Sequence, residues 1–300
     1  MRALLLLCLV VAASPTPAVE SGRFSAPEIA GLMTEARLSE TSGLAPSKAV
    51  PGAWWTLNDS GNDAALELMS ADGKRLATLA IDGVRNVDWE DLAGFTLDGR
   101  RYLLVADTGD NGGVRDELAL HVVEEPSSAR DGGRTEPAWT LRFRWPDGAR
   151  DCEAVAVDAA RGEVLLVSKK RVPAELFRIA LQPLSDDVQT ATRVGLLQGI
   201  TQPGAADLAR NPVYGRYRSQ VTAADLSPDG RTLAVLNYSA VYLYTRAGAG
   251  WTAASLQNPQ RLDFPWMPQA EGIAFSLDGR ELTVAGEQTP SPLLRYRRLL

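Results

Sequence analysis

Three hundred residues with 45% apolar content can bury a substantial core, which excludes a disordered chain. The net charge of −6, more negative still without Arg2, argues against a nucleic-acid partner and leaves a cation or a small solute as the natural ligand.

The first element is Arg2 followed by an apolar run over residues 3–13, then small residues and prolines. That is the pattern of a secretory signal, too short to span a bilayer as a stable helix. Residues 1–18 are expected to be a signal peptide cut after Ala13 or Ala18, leaving a periplasmic or secreted protein whose single domain covers residues 24–300. No later segment reaches transmembrane length. With Cys8 gone, Cys152 alone remains, which excludes an intramolecular disulfide and a cysteine-cluster metal site.

Five related stretches then follow: ETSGLAPSKAVPGAWWTLNDSG (40–61), DWEDLAGFTLDGRRYLLVADTGD (88–110), DCEAVAVDAARGEVLLVSKKR (151–171), VTAADLSPDGRTLAVLNYS (221–239) and QAEGIAFSLDGRELTVAGEQ (269–288). Each is a short apolar strand, a turn, a second apolar strand and a polar tip. Aligned on Ser42, Glu90, Glu153, Ala224 and Glu271, they are separated by 48, 63, 71 and 47 residues, a propeller-sized period with long insertions after the second and third copies. Further alternating segments, such as residues 65–82 with their own Asp-Gly turn, bring the count to four strands per repeat. The last copy is followed only by PLLRYRRLL, which supplies a third strand, so residues 31–39 (GLMTEARLS) are expected to provide the fourth. The sequence thus predicts an all-β, five-bladed β-propeller, monomeric and closed by its N-terminal strand.

In a propeller the first strand of each blade lines the central channel, so the five aligned positions form a ring. The residues two earlier, Glu40, Asp88, Asp151, Thr222 and Gln269, form a second ring. Six carboxylates (Glu40, Asp88, Glu90, Asp151, Glu153 and Glu271) then lie near one axis, where bare like charges repel by several kcal/mol at ~4 Å and intermediate dielectric. Either a hard cation neutralises them or they share protons and accept hydrogen bonds from loop amides. An all-oxygen donor set with His121 as sole imidazole suits calcium better than zinc. His121, within an alternating strand, and Cys152, beside two acids that blunt its reactivity, are expected to be structural, as are Trp54, Trp55 and Trp89.

The polar tips return to the same end of the channel. Asp59 and Asp107 lie 17 residues after their ring positions, and Lys169 and Glu287 lie 16 after theirs. Residues 201–220, a long connection expected to lack regular structure, add Arg210, Tyr214, Arg216, Tyr217 and Arg218. With Lys169, Lys170 and Arg171 these make a basic crescent beside an acidic centre, or else a solvated basic loop.

The motifs NDSG, NVDWED and ADTGDN resemble those of a group of bacterial extracytoplasmic propellers. More distantly, the ring resembles the calcium-activated nucleotidases, or apyrases, whose central calcium is held by Ser, Glu, Glu, Ser and Glu opening successive inner strands. That order falls on Ser42, Glu90, Glu153, Ala224 and Glu271; Ala224 departs from it and leaves Thr222 or Asp225 as the substitute. There is a looser likeness to phytase-like propeller esterases. The metal set implied by the rings and the resemblance is Ser42, Asp88, Glu90, Asp151, Glu153 and Glu271. Two functions follow: a calcium-dependent hydrolase of a phosphate ester or phosphoanhydride, with Asp59 or Asp107 as catalytic carboxylate and Lys169, Lys170, Arg171, Arg210, Arg216, Arg218 and Glu287 around the substrate, or a non-catalytic propeller binding a small anion or a protein on that face. No Ser-His-Asp or Cys-His set is available, so catalysis would need metal and carboxylates.

Overall fold

Alternating apolar residues and tight Asp-Gly turns fold this chain into short antiparallel pairs. In the computed structural model, which describes residues 23–183 and 187–299, these pairs form five sheets arranged as a five-bladed β-propeller. Residues 1–18, expected to be a signal peptide, lie outside the described residues. The inner strands are Thr41–Pro46, Trp89–Leu97, Cys152–Asp158, Val221–Leu226 and Ala270–Phe275. At the turns joining the inner to the second strands of blades two, four and five, Gly99, Gly230 and Gly279 adopt positive φ, which L-residues rarely take. Among the described residues no helix is long and apolar enough to cross a membrane.

The core is divided into five apolar clusters, one in each gap between neighbouring blades. Trp55 and Trp89 are buried together between blades one and two, and Trp54 lies between blades five and one, so all three tryptophans do the packing expected of them. The two long insertions reach backwards. Gly133–Thr135, from the second blade, pairs in parallel with the outer strand Arg75–Ile81 of the first, and Gln189–Thr190, from the third, pairs with Trp139–Arg144 of the second. Each insertion covers an edge that would otherwise be open.

The N-terminal strand closes the ring as expected, but at Glu28–Met33 rather than 31–39; Ala36–Leu38 is a 3-10 turn leading into blade one. Charge sets the earlier register, because Glu28 meets Arg295 at 2.7 Å and Arg297 at 2.8 Å. Contact sets it too. A Cβ on Gly31 would lie 2.4 Å from the Asp72 carbonyl carbon, and the Leu32 N–H donates to the Asp72 oxygen. Residues 201–220 are likewise more ordered than expected, with a short helix at Ala205–Arg210 and a 3-10 turn at Gly215–Tyr217.

Inner strands present an edge to the channel, and its N–H groups need acceptors. Asp91, with no exposed surface, accepts from Val155 N–H of blade three at 2.7 Å, from Ala224 N–H of blade four at 3.1 Å and from Leu92 N–H at 2.8 Å. One carboxylate thereby joins three blades. Gly43 makes room beside it, since a Cβ there would stand 2.3 Å from Leu92 N.

Removing residues 23–33 should expose the edge of blade five and produce oligomers in size-exclusion chromatography; a monomer of unchanged melting temperature would refute closure by this strand. Asp91→Ala strands two buried donors on other blades, each costing about 1–3 kcal/mol, so denaturant unfolding should show a loss of at least about 2 kcal/mol. Asp91→Asn, which keeps one acceptor oxygen, should lose less.

Candidate metal centre and ligand cavity

Strand register explains why acids gather at the channel mouth. Four inner strands carry a bulge one residue after they begin pairing, and the unpaired residue is Glu90, Glu153, Thr222 or Glu271. A bulge re-aims its side chain, here off the blade. Ser42 occupies the same place in blade one, directly after the Thr41–Asn58 pair. The fourth position is therefore Thr222, and the sequence alignment on Ala224 was two residues late. Ala224 instead gives its N–H to Asp91.

The same register corrects the tips. The residue after each second strand's pairing partner is Asp59, Thr108, Lys169, Tyr238 or Glu287. Backbone hydrogen bonds tie Asp59 to Glu40, Lys169 to Asp151 and Glu287 to Gln269. Asp107 is one residue short of its expected place. It is buried in a 2.8 Å ion pair with Arg115, with His121 4.0 Å away, and is not free to activate water. His121 contacts Thr140 Oγ1 at 3.0 Å, and burial lowers its pKa against the pull of Asp107; it serves packing.

Two sets of carboxylates converge: Asp59, Asp88 and Glu90, and Glu90, Asp151 and Glu153, with ligand oxygens inside each set within 4.8 Å of one another. Of the six residues expected to bind metal, Asp88, Glu90, Asp151 and Glu153 come together, joined by Asp59. The other two are engaged elsewhere. Ser42 Oγ donates to the Glu90 carbonyl, and Glu271 Oε1 accepts from Tyr238 Oη at 2.8 Å. Glu40 is exposed and bound by Asn62.

The ADTGDN motif builds one wall of this centre. Thr108 Oγ1 donates to the Cys152 carbonyl at 2.7 Å, linking blades two and three. A Cβ on Gly109 would lie 2.2 Å from Glu90 Oε1 and 2.4 Å from Asp88 Oδ2, so only glycine lets both carboxylates approach. Asp110 N–H donates to Asp151 Oδ1 at 2.8 Å, and Asn111 holds Lys170. Asn86, from NVDWED, donates to the carbonyls of Asn58 and Asp59 and so fixes the NDSG tip against blade two.

The electrostatics follow from burial and crowding. Burial raises the pKa of Glu90 well above the carboxylate range, and Glu153 and Asp59 add to it. Burial does the same to Glu153 against the pull of Lys169, and it raises Asp59 and Asp88. Burial, with Glu271 beside it, pushes Glu287 up to about 10. Lys169 Nζ rests on Glu153 Oε1, and Lys170 Nζ lies 2.9 Å from Asp151 Oδ2. Both lysines were expected to meet substrate; their ammoniums are instead internal counter-ions of the acids. Buried Cys152 has its thiol pKa raised by burial, as its expected inertness requires.

Beyond Lys169 and Lys170, which pair with Glu153 and Asp151, opens a cavity of about 1010 Å³, lined by both lysines, Tyr238, Gln269, Arg210, Arg218, Tyr214 and Trp266 among others. Trp266 and Tyr214 are 71% and 68% exposed there. Arg218 is paired with Asp207 at 3.4 Å. Arg171, Arg216 and Glu287 do not line it: Arg171 faces Glu175 at 3.9 Å, Arg216 lies over the Tyr217 ring at 4.8 Å, and Glu287 accepts from Gln269. Tyr238 and Trp266 were missing from the expected site, although Tyr238 stood in a recognised tip.

At the opposite end of the channel Asp225 accepts from Phe275 N–H at 2.7 Å near Arg101. Its carboxyl keeps some accessible area but is densely surrounded by protein, and burial pushes its pKa up to about 7.

This sequence matches no protein-family model and no curated protein sequence. Among solved structures, a luciferin-regenerating enzyme superposes with a TM-score of 0.45 at 10% identity, covering 89% of this chain and 95% of that one. A hydrazine synthase of Kuenenia stuttgartiensis superposes with a TM-score of 0.43 at 10% identity, covering 83% and 68%. Likenesses this distant carry no functional argument.

The raised Asp225 pKa gives a stability test. The folded state holds this proton more tightly than the unfolded chain, so the contribution is complete below about pH 4 and is lost as pH rises through about 7. Calorimetry of the wild type and Asp225→Asn between pH 5 and 8 should show a shallower fall of melting temperature in the variant; equal slopes would exclude Asp225 as a contributor.

Proposed function

We propose that this chain is a calcium-dependent hydrolase of phosphate esters or phosphoanhydrides working outside the cytoplasm, with the cation at the channel mouth and the substrate in the cavity above it. The observation carrying this reading is that two carboxylate sets sharing Glu90, one with Asp59 and Asp88 and one with Asp151 and Glu153, gather at one end of the channel and connect through Lys169 and Lys170 to a cavity lined by Arg210 and Arg218. Asp88, Glu90, Asp151 and Glu153 offer hard, all-oxygen donors, and the missing Cβ of Gly109 leaves the cradle in which Asp88 and Glu90 meet, which fits calcium. The apolar N-terminal segment supports a location where calcium is abundant enough for a weak site.

Bound calcium would polarise a phosphoryl oxygen of the substrate. Arg210 and Arg218 hold the anionic group, while Tyr214 and Trp266 flank it and displace water. Asp59, beside Asp88 and Glu90 at the edge of the donor set, accepts the proton of the attacking water. The water oxygen bonds to phosphorus, the bond from phosphorus to the leaving oxygen breaks, and that oxygen departs with the second product.

A second reading, a non-catalytic propeller binding an anion or a protein on the same face, draws support from the internal pairing of Asp107, Lys169 and Lys170. Turnover decides between them. A chelator should abolish hydrolysis of a responsive substrate, calcium should restore it, and Asp59→Asn should lower turnover by roughly a hundredfold or more. If no phosphate ester or phosphoanhydride in a broad panel is turned over with calcium above a Glu90→Gln control, the binding reading replaces the catalytic one.

A further inference from the structure

Lys169 and Lys170 are neighbours in sequence and differ in how they are held. Lys170 Nζ has three partners: Asp151 Oδ2 at 2.9 Å, the Asn111 carbonyl at 2.9 Å and Asn111 Oδ1 at 2.7 Å. Lys169 Nζ hydrogen-bonds only to Glu153 Oε1, and its side chain is 11% exposed. Glu153, itself buried, belongs to the carboxylate set that also contains Glu90 and Asp151. The oxygen that would complete a cation site on that side is therefore covered by an ammonium on a single hydrogen bond.

We propose that Lys169 is a tethered competitor of the channel cation: it covers the Glu153 carboxylate, and calcium binding displaces it toward the cavity. This rests on the cation site proposed above. A divalent ion and an ammonium on one carboxylate repel each other at close range in a poorly solvated place, and Lys169, held by one hydrogen bond where Lys170 has three partners, is the one that yields. A way out exists, because Lys169 already lines the cavity and its Nζ is 5.9 Å from the centroid of the Tyr238 ring, whose face can hold a displaced cation. Tethering gives the ammonium a high effective concentration, so it weakens the apparent affinity for calcium by the fraction of time it occupies Glu153. The lysine thereby sets the calcium level at which the site fills.

Equilibrium dialysis with radioactive calcium tests this on the full chain. Lys169→Met should bind calcium about tenfold or more tightly than the wild type, whereas Lys74→Met, at an exposed turn, should not differ. Equal affinity in wild type and Lys169→Met would overturn displacement and leave the cation site standing. No calcium bound by either protein would overturn the cation site, and this inference with it. Should Lys169→Met fail to fold, reductive methylation of the wild type with formaldehyde, read by peptide mass spectrometry, decides. Calcium should raise labelling of Lys169 severalfold relative to Lys74, and unchanged labelling of Lys169 in calcium-bound protein would overturn the proposal.

Discussion

Negative charge concentrated where five inner strands converge is the constraint that organises one whole end of this molecule. Bulges turn Glu90, Glu153 and Glu271 off their blades, and the preceding loops add Asp88 and Asp151. Every neighbour then acts to make that density tolerable. Lys169 and Lys170 supply positive charge, Tyr238 donates a hydroxyl, Glu287 keeps its own proton, and the Asp110 amide caps Asp151. Buried like charges survive only with such partners. The chain uses four kinds of partner for one problem, and its tips are placed by the hairpins that carry the acids.

Much of the architecture was legible because the physics behind it is periodic. Strand alternation, Asp-Gly turns and a propeller-sized repeat show in the sequence, and the blades and inter-blade cores follow them. What eluded the sequence depends on register. A bulge adds one residue to one strand without any compositional mark, so counting from Glu90 placed Asp107 at the mouth when Thr108 stands there, and Thr222 was passed over for Ala224. A spacing of 16 residues brought Lys169 to the right rim but could not say that its ammonium would settle on Glu153 instead of facing outward. The N-terminal strand was placed late because its register is set by Glu28 meeting two arginines at the far end of the chain.

Asp91 shows how little a motif discloses about division of labour. Within NVDWED, Asp88 and Glu90 face the channel mouth, Trp89 fills the gap between two blades, and Asp91 caps backbone donors on two others. Four consecutive residues serve three different surfaces. Strand alternation, combined with the bulge at Glu90, divides them among these.

The backward reach of the insertions bears on the order in which the molecule can be assembled. Blade one lacks its outermost strand until residues 133–135 exist, and blade two waits for residues 189–190. Blade five joins Glu28–Met33 to Ser291–Arg297, so the first described strand stays without its partner until residues 291–297 have been made. Blades one, two and five cannot be finished as soon as their own hairpins have been made. Contacts this distant in sequence slow folding and leave strand edges open meanwhile, and a chain built this way needs its edges shielded for as long as its own translation lasts.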